Sequence, residues 1–280
     1  VHADKSTHWF SESGQIDIYV LPGPTPFDVM RQYAALTGST PLPPMWSLGY
    51  HQCKWNYKTQ AEVKEVNEGF DAASMPMDVI WLDIEHTDGK RYFTWDKNHF
   101  PDPSAMLEEV AKTGRRMVTI VDPHIKRDTN YAVHTLAESA KVYVKKNDGN
   151  DFDGHCWPGP SSWVDYTSPV ARQWWAERFQ YDNYPHSSQR LYIWNDMNEP
   201  SVFSGPEVTM DKNALHANNV EHRDVHNLYA QVMHRATWEG LILRDVNEEV
   251  RPRPFLLTRG FFVGSQRYGA VWTGDNKADW

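Results

Sequence analysis

Only two of the 280 residues are cysteine, and no apolar run is long enough to span a bilayer. Two thiols cannot build a disulfide framework, so packing must hold the chain, and Cys53 and Cys156 read as buried free thiols. Cations are also scarce. Lys and Arg number 28 against 37 Asp and Glu, a formal charge of −9, which argues against nucleic acid or an anionic membrane as partner. No glycine-rich phosphate loop follows the first predicted strand, which counts against a doubly wound nucleotide-binding sheet. His216, His222, His226 and His234 tempt a metal reading. Yet Arg223-Asp224-Val225 separates the two that share a helix face, so the His-Glu-x-x-His pattern of zinc hydrolases is missing. No metal and no cofactor are expected. No secretory signal opens the chain, which starts at Val1 and ends at Trp280 just after a motif, so it reads as a piece of a longer protein.

What is abundant is aromatic: 13 Trp, 13 Tyr and 11 Phe, suited to the C–H faces of sugars but equally to an ordinary core. The first two dozen residues stand apart. Ile16, Ile18 and Val20 alternate with Asp17 and Tyr19 as in a half-buried strand, before Leu21-Pro22-Gly23-Pro24 breaks the chain. Residues 1–25 therefore read as the tail of a preceding β domain, and 26–280 as the start of a second one.

From residue 26 onward, helices and strands alternate. The pattern predicts a helix over 27–36 ending at Gly38, then a strand over 46–52. A capping box at Thr59-Gln60-Ala61-Glu62 opens a helix to about Ala73. Further strands are expected over 79–83, 117–121, 191–194, 254–258 and 271–273. Helices fall between them, after Asp102-Pro103 and Ser168-Pro169 and over 223–239. Apolar strands separated by helices mean a parallel sheet with covered faces, and carboxylates follow the strands as in a (β/α)8 barrel. Only six strands are predicted, so two are expected beyond Trp280; a segment so cut should fold poorly by itself and lack activity. Two long connections, 123–167 and 199–222, leave the same end of the barrel.

The most informative stretch is Leu191-Tyr192-Ile193-Trp194-Asn195-Asp196-Met197-Asn198-Glu199-Pro200-Ser201. A buried strand breaks into carboxylates, so Asp196 projects from a rigid strand tip. Cleaving an acetal takes two carboxyls, one ionised and one protonated. Asp275, 79 residues further on, is the other candidate, and only folding can bring it to Asp196. After Trp272-Thr273-Gly274, partial desolvation and a nearby anion would help it hold a proton. Asp83 and Asp122 end two other strands, and Arg259 a third. Glu199 lies too close to Asp196 in sequence to stand reliably across a glycosidic bond.

The segment Trp194-x-Asp196-Met197-Asn198-Glu199-Pro200-Ser201 resembles the nucleophile motif of glycoside hydrolase family 31. A second stretch, Arg259 … Arg267-Tyr268-Gly269-Ala270-Val271-Trp272-Thr273-Gly274-Asp275-Asn276, is similar to its acid/base motif. Gly49-Tyr50-His51-Gln52-Cys53-Lys54-Trp55-Asn56-Tyr57 and Trp81-Leu82-Asp83-Ile84-Glu85-His86 resemble the branch that trims α-1,3-linked glucose from N-glycans. The resemblance implies a (β/α)8 TIM barrel and a retaining exo-α-glucosidase acting by double displacement. Asp196 would be the nucleophile and Asp275 the acid/base, their carboxyls about 5–5.5 Å apart. Trp55, Asp83, Ile84, Ile120, Trp157, Trp194, Met197, Arg259 and Trp272 would line the terminal-glucose subsite. It further implies the lumen of the endoplasmic reticulum, a noncatalytic β subunit as partner and no membrane insertion. A starch- or maltose-directed α-glucosidase, an α-xylosidase and a noncatalytic sugar-binding barrel remain the rivals. Gly260 departs from the Ser that many members carry after the Arg, and Arg251-Pro252-Arg253-Pro254 runs a dipeptide longer than expected.

Overall fold

The computed structural model describes residues 3–247, 249–277 and 279, so the outer limits of both expected domains lie outside the described residues. Helix α1, Pro26–Thr37, opens with a complete capping box: Thr25 accepts from the Asp28 N–H, and Asp28 reaches back to the Thr25 backbone. Strand β1 is short, His51–Gln52. The expected strand over 46–52 instead starts as a 3₁₀ turn, Met45–Leu48. The turn puts the Trp46 ring against Tyr192 and Phe255, at centroid separations of 4.5 and 5.1 Å, so aromatic packing overrides the strand pattern.

Helix α2, Gln60–Ala72, precedes β2, Val79–Leu82; α3, Pro103–Lys112, precedes β3, Arg116–Ile120. Only half of the predicted box caps α2. Thr59 accepts from the Glu62 N–H, but Glu62 turns to Lys54 and to the Lys58 N–H. Next come β4, His124–Lys126, helix α4, Ala132–Ala140, and strands β5, Asp153–Cys156, and β6, Gly159–Trp163. Helix α5, Pro169–Glu177, leads into β7, Leu191–Asn195. Helix α6, His222–Arg244, then leads into β8, Leu256–Thr258, and β9, Ala270–Val271.

Six strands form one parallel sheet in the order β1-β2-β3-β7-β8-β9, curled as an incomplete (β/α)8 TIM barrel. Strands β2 and β7 are buried along their whole length, as parallel strands covered on both faces must be. Among the described residues β1 and β9 have no outer partner. Outside the sheet α6, which packs on β8, closes tightly on α5. A Cβ on Gly240 would sit 2.7 Å from the Phe179 ring and 2.8 Å from the Ala176 carbonyl, so only glycine fits the crossing.

The connection 123–167 is not an open loop. It folds α4 and a three-stranded antiparallel sheet, order β4-β6-β5, around the buried Trp163. Its strands are short and rich in Gly, Pro and Ser, which hides them from any period-2 test. The residues 16–20 expected as a strand form none, and Ile16, Ile18 and Val20 stay exposed. A lone strand without a partner ladder gains nothing from being extended.

Candidate active site

Five of the six strands of the sheet end by delivering a side chain to the same mouth. Asp83 follows β2, Ile120 ends β3, Asp196 follows β7, Arg259 follows β8 and Asp275 follows β9. Parallel strands all point one way, so residues hundreds of positions apart in a barrel share one rim.

Arg259 is the hub. Its Nε donates to Glu199 Oε1 at 2.8 Å and its Nη2 to Glu199 Oε2 at 3.1 Å, a two-pronged grip. Nη2 also lies 3.0 Å from Ser201 Oγ and 3.3 Å from Met197 Sδ. Asp196 Oδ1 sits 3.0 Å from Nε, and Asp275 Oδ2 sits 3.6 Å from Nη1. Two carboxyls from separate strand ends thus meet one guanidinium. Burial works against the Arg259 charge, but Glu199 and Asp196 more than offset it and bind its proton more tightly than usual.

Environment separates the carboxyls. Burial pushes Asp196 up to about 6 despite the opposing pull of Arg259, so the group is mostly ionised at neutral pH. For Glu199 burial pushes upward too, yet the Arg259 hydrogen bonds win and hold it below the usual carboxylate range. Burial raises Asp83 as well, against the N–H of Ile84, which donates to its Oδ1 at 2.6 Å. The burial expected around Asp275 is absent among the described residues: its side chain is 79% exposed.

The aromatic residues form two groups. Trp194 touches Trp81 on one edge and Trp272 on the other, at 5.7 and 5.6 Å between centroids. Its Nε1 is buried without a hydrogen-bond partner among the described residues. Trp157 meets Trp55 at 6.2 Å and Phe203 at 4.9 Å, and both Trp55 and Trp157 are open to solvent. Ile84, Ile120 and Met197 are buried at the base.

Residues 40–280 match the model of the glycosyl hydrolases family 31 TIM-barrel domain. This chain belongs to glycoside hydrolase family 31. It is 60% identical over its full length to neutral alpha-glucosidase AB of Dictyostelium discoideum, of which it covers 30%. It is 55% identical, again over 100% of its own length and 30% of the relative's, to a probable glucan 1,3-alpha-glucosidase of Arabidopsis thaliana. A crystal structure of the ER glucosidase II heterodimeric complex, of catalytic subunit and binding domain of the regulatory subunit, also matches. It has a TM-score of 0.89 and 54% identity over 92% of this chain and 28% of that one. The chain therefore spans about a third or less of the length of these relatives.

One ring beside the candidate site leaves no signal in the sequence. Phe203, the ring under Trp157, sits in a connection with no periodic signal. Glu199 was visible, but not its grip on Arg259, which depends on two strand ends 60 residues apart. Three of the four histidines form a chain: His216 Nδ1 to Asp165 at 2.7 Å, His216 Nε2 to His222 Nδ1 at 2.9 Å, and His222 Nε2 to His226 Nδ1 at 2.8 Å; His234 is buried on α6 with neither ring nitrogen hydrogen-bonded among the described residues. These contacts tie the connection 199–222 to α6. Cys53 and Cys156 are both free; Cys53 is exposed, contrary to the buried thiol expected, because the segment after β1 runs over the surface.

Proposed function

We propose that this chain carries the catalytic centre of a retaining exo-α-glucosidase. The carrying observation is the approach of Asp196 and Asp275 to a single guanidinium, one carboxyl buried and one exposed. In this reading Asp196, anionic and held at a strand tip, attacks the anomeric carbon and forms a glycosyl ester. Asp275, on the open side, protonates the leaving oxygen and then takes a proton from the attacking water. Asp83 accepts hydrogen bonds from the outer hydroxyls of the terminal glucose. Ile84, Ile120, Trp55, Trp157, Trp194, Met197 and Trp272 bound the sugar, and Arg259 orients the nucleophile through charge.

The finer assignment is to glucosidase II: trimming of α-1,3-linked glucose from N-glycans in the lumen of the endoplasmic reticulum, with a noncatalytic β subunit. The names of the relatives and of the heterodimeric complex support it. Residues 1–25 are assigned to a preceding β domain, and 26–280 to the catalytic barrel.

The test is to assay the full-length protein on α-1,3- and α-1,4-linked glucose disaccharides and to trap it with an activated fluoroglucoside. Preference for the α-1,3 linkage and an adduct on Asp196 are expected. Preference for maltose would remove the glucosidase II assignment, and an adduct on Glu199 or Asp83 would remove the nucleophile.

A further inference from the structure

One strand-end carboxylate has no job in that scheme. Asp122 stands two residues past Ile120 on β3, as Asp196 stands two past Trp194 on β7, and Ile120 and Trp194 are register partners. Beyond them the Val121 N–H still donates to the Trp194 carbonyl, and Asn195 Nδ2 to the Val121 carbonyl, both at 2.8 Å. Side chains two apart along a strand share a face, and adjacent strands lie about 4.8 Å apart. Asp122 and Asp196 are therefore immediate neighbours on one face. Neither has water as an easy partner: Asp122 has no exposed surface and Asp196 only 8%. In both, Oδ1 lacks a hydrogen-bond partner among the described residues.

The other oxygen of Asp122 is spoken for. The Tyr92 hydroxyl donates to Oδ2, and the Tyr92 oxygen lies 2.9 Å from His124 Nε2. His124 is wholly buried, which drives its pKa down to about 3 and keeps the ring neutral. Because the Tyr92 hydroxyl directs its single proton at Oδ2, the neutral ring is the donor to the Tyr92 oxygen, from Nε2. Any proton held by Asp122 itself then sits on Oδ1.

The local charge count calls for such a proton. Asp122, Asp196, Glu199 and Asp275 crowd around Arg259, with Asp83 acting on Asp122, and among the described residues Arg259 is the cation that acts on both Asp122 and Asp196. Cys156 and Tyr166, the other titratable groups turned toward Asp122, are kept neutral by burial. Burial and the Asp196 charge push Asp122 well above the usual carboxylate range, by more than the Tyr92 bond pulls it back.

We propose that Asp122 is a positioning residue for the glycosidase reaction: a neutral acid, clamped by Tyr92 through Oδ2, that donates from Oδ1 to the carboxylate of Asp196. The bond holds the nucleophile in one rotamer and shares its charge without neutralising it. This inference rests on Asp196 being the nucleophile.

The experiment compares Asp122→Asn, Asp122→Leu and Tyr92→Phe in the full-length protein, by melting, fluoroglucoside trapping and pH profiles of kcat/KM. Asn keeps an N–H donor and should retain at least about tenfold more kcat/KM than Leu. Loss of the donor in Leu should move the acidic limb up by about one pH unit, since ionised Asp196 loses a stabilising bond. Tyr92→Phe should lower kcat more than it raises KM, because it frees the clamp but touches no sugar. An infrared carboxylic-acid band present in the wild type should vanish in Asp122→Asn, a readout that survives if the Leu variant fails to fold. Asn as impaired as Leu with wild-type melting, or no acid band, would overturn the proposal. An adduct mapping away from Asp196 would fail the nucleophile reading itself, whatever the Asp122 variants do.

Discussion

Oδ1 of Asp196 lies 3.0 Å from Nε of Arg259 yet does not take its hydrogen bond, which goes to Oε1 of Glu199 at 2.8 Å. Asp196 thus feels the positive charge without being tied down by it. An ion pair with full hydrogen bonding would quench a carboxylate's nucleophilicity; charge at the same distance without the bond only helps keep it ionised.

Glu199→Gln should change this balance. The amide leaves Arg259 free to turn its Nε–H on Asp196, and removal of the Glu199 charge takes away a repulsion that raises Asp196. The acidic limb of kcat/KM should move to lower pH while kcat falls about tenfold or more, for a charged hydrogen bond redirected onto the nucleophile. A pH–rate series on both proteins checks it; a limb that moves to higher pH refutes the competition.

Asp196→Asn should make the protein more stable at neutral pH. Burial pushes Asp196 up to about 6 in the folded protein, from an ordinary value of 3.8. A group raised on folding contributes stability in full below about 3.8, and that contribution is lost as pH rises through 6. The neutral amide loses none of it. Melting of the Asn variant should exceed the wild type by about 1–3 kcal/mol equivalent at pH 7, with the difference gone below about pH 4. Equal melting at both pH values would contradict the burial argument.

Asp275→Ala should slow turnover chiefly on poor leaving groups. Disaccharides need their glycosidic oxygen protonated, whereas aryl glycosides with acidic phenols do not, so the loss should be about 10²–10⁴-fold on the first and much smaller on the second. Steady-state kinetics on both classes decide the point, and equal losses would remove Asp275 from the acid role.

Gly260→Ala should destabilise the barrel by about 1–3 kcal/mol through overpacking. A Cβ there would stand 2.6 Å from the Ala230 Cβ on α6 and 3.2 Å from Asn198 Oδ1, which accepts the Gly260 N–H. This close approach accounts for glycine at the position after Arg259: here α6 occupies the space. Thermal melts of the single variant, and of Gly260→Ala with Ala230→Gly as relief, test it; no rescue by the second change would refute the contact.

Along the chain, the sequence was most readable where a local rule applied. Helix α1 and the apolar runs of β2, β3 and β7 lie within a few residues of their expected bounds, because the Gly38 stop and burial on both faces leave a mark in adjacent residues. Where partners decide, it was less so. The 16–20 segment alternates like a strand but finds no ladder, and Trp46 leaves its strand for two rings on distant elements. Strands β4 to β6 carry no periodic pattern, since each is held by its neighbours rather than by its own apolar face.

The sequence by itself determined that carboxylates stand at the ends of parallel strands, since a buried apolar run followed by Asp can end in little else. Only the tertiary structure decided what surrounds each of them. Asp196 is buried and Asp275 exposed, Glu199 takes the hydrogen bonds of Arg259, and Asp122 is walled in by Tyr92 and His124. Those differences are matters of desolvation and of distance to one guanidinium, and both depend on residues from other strands, which a one-dimensional pattern cannot bring together.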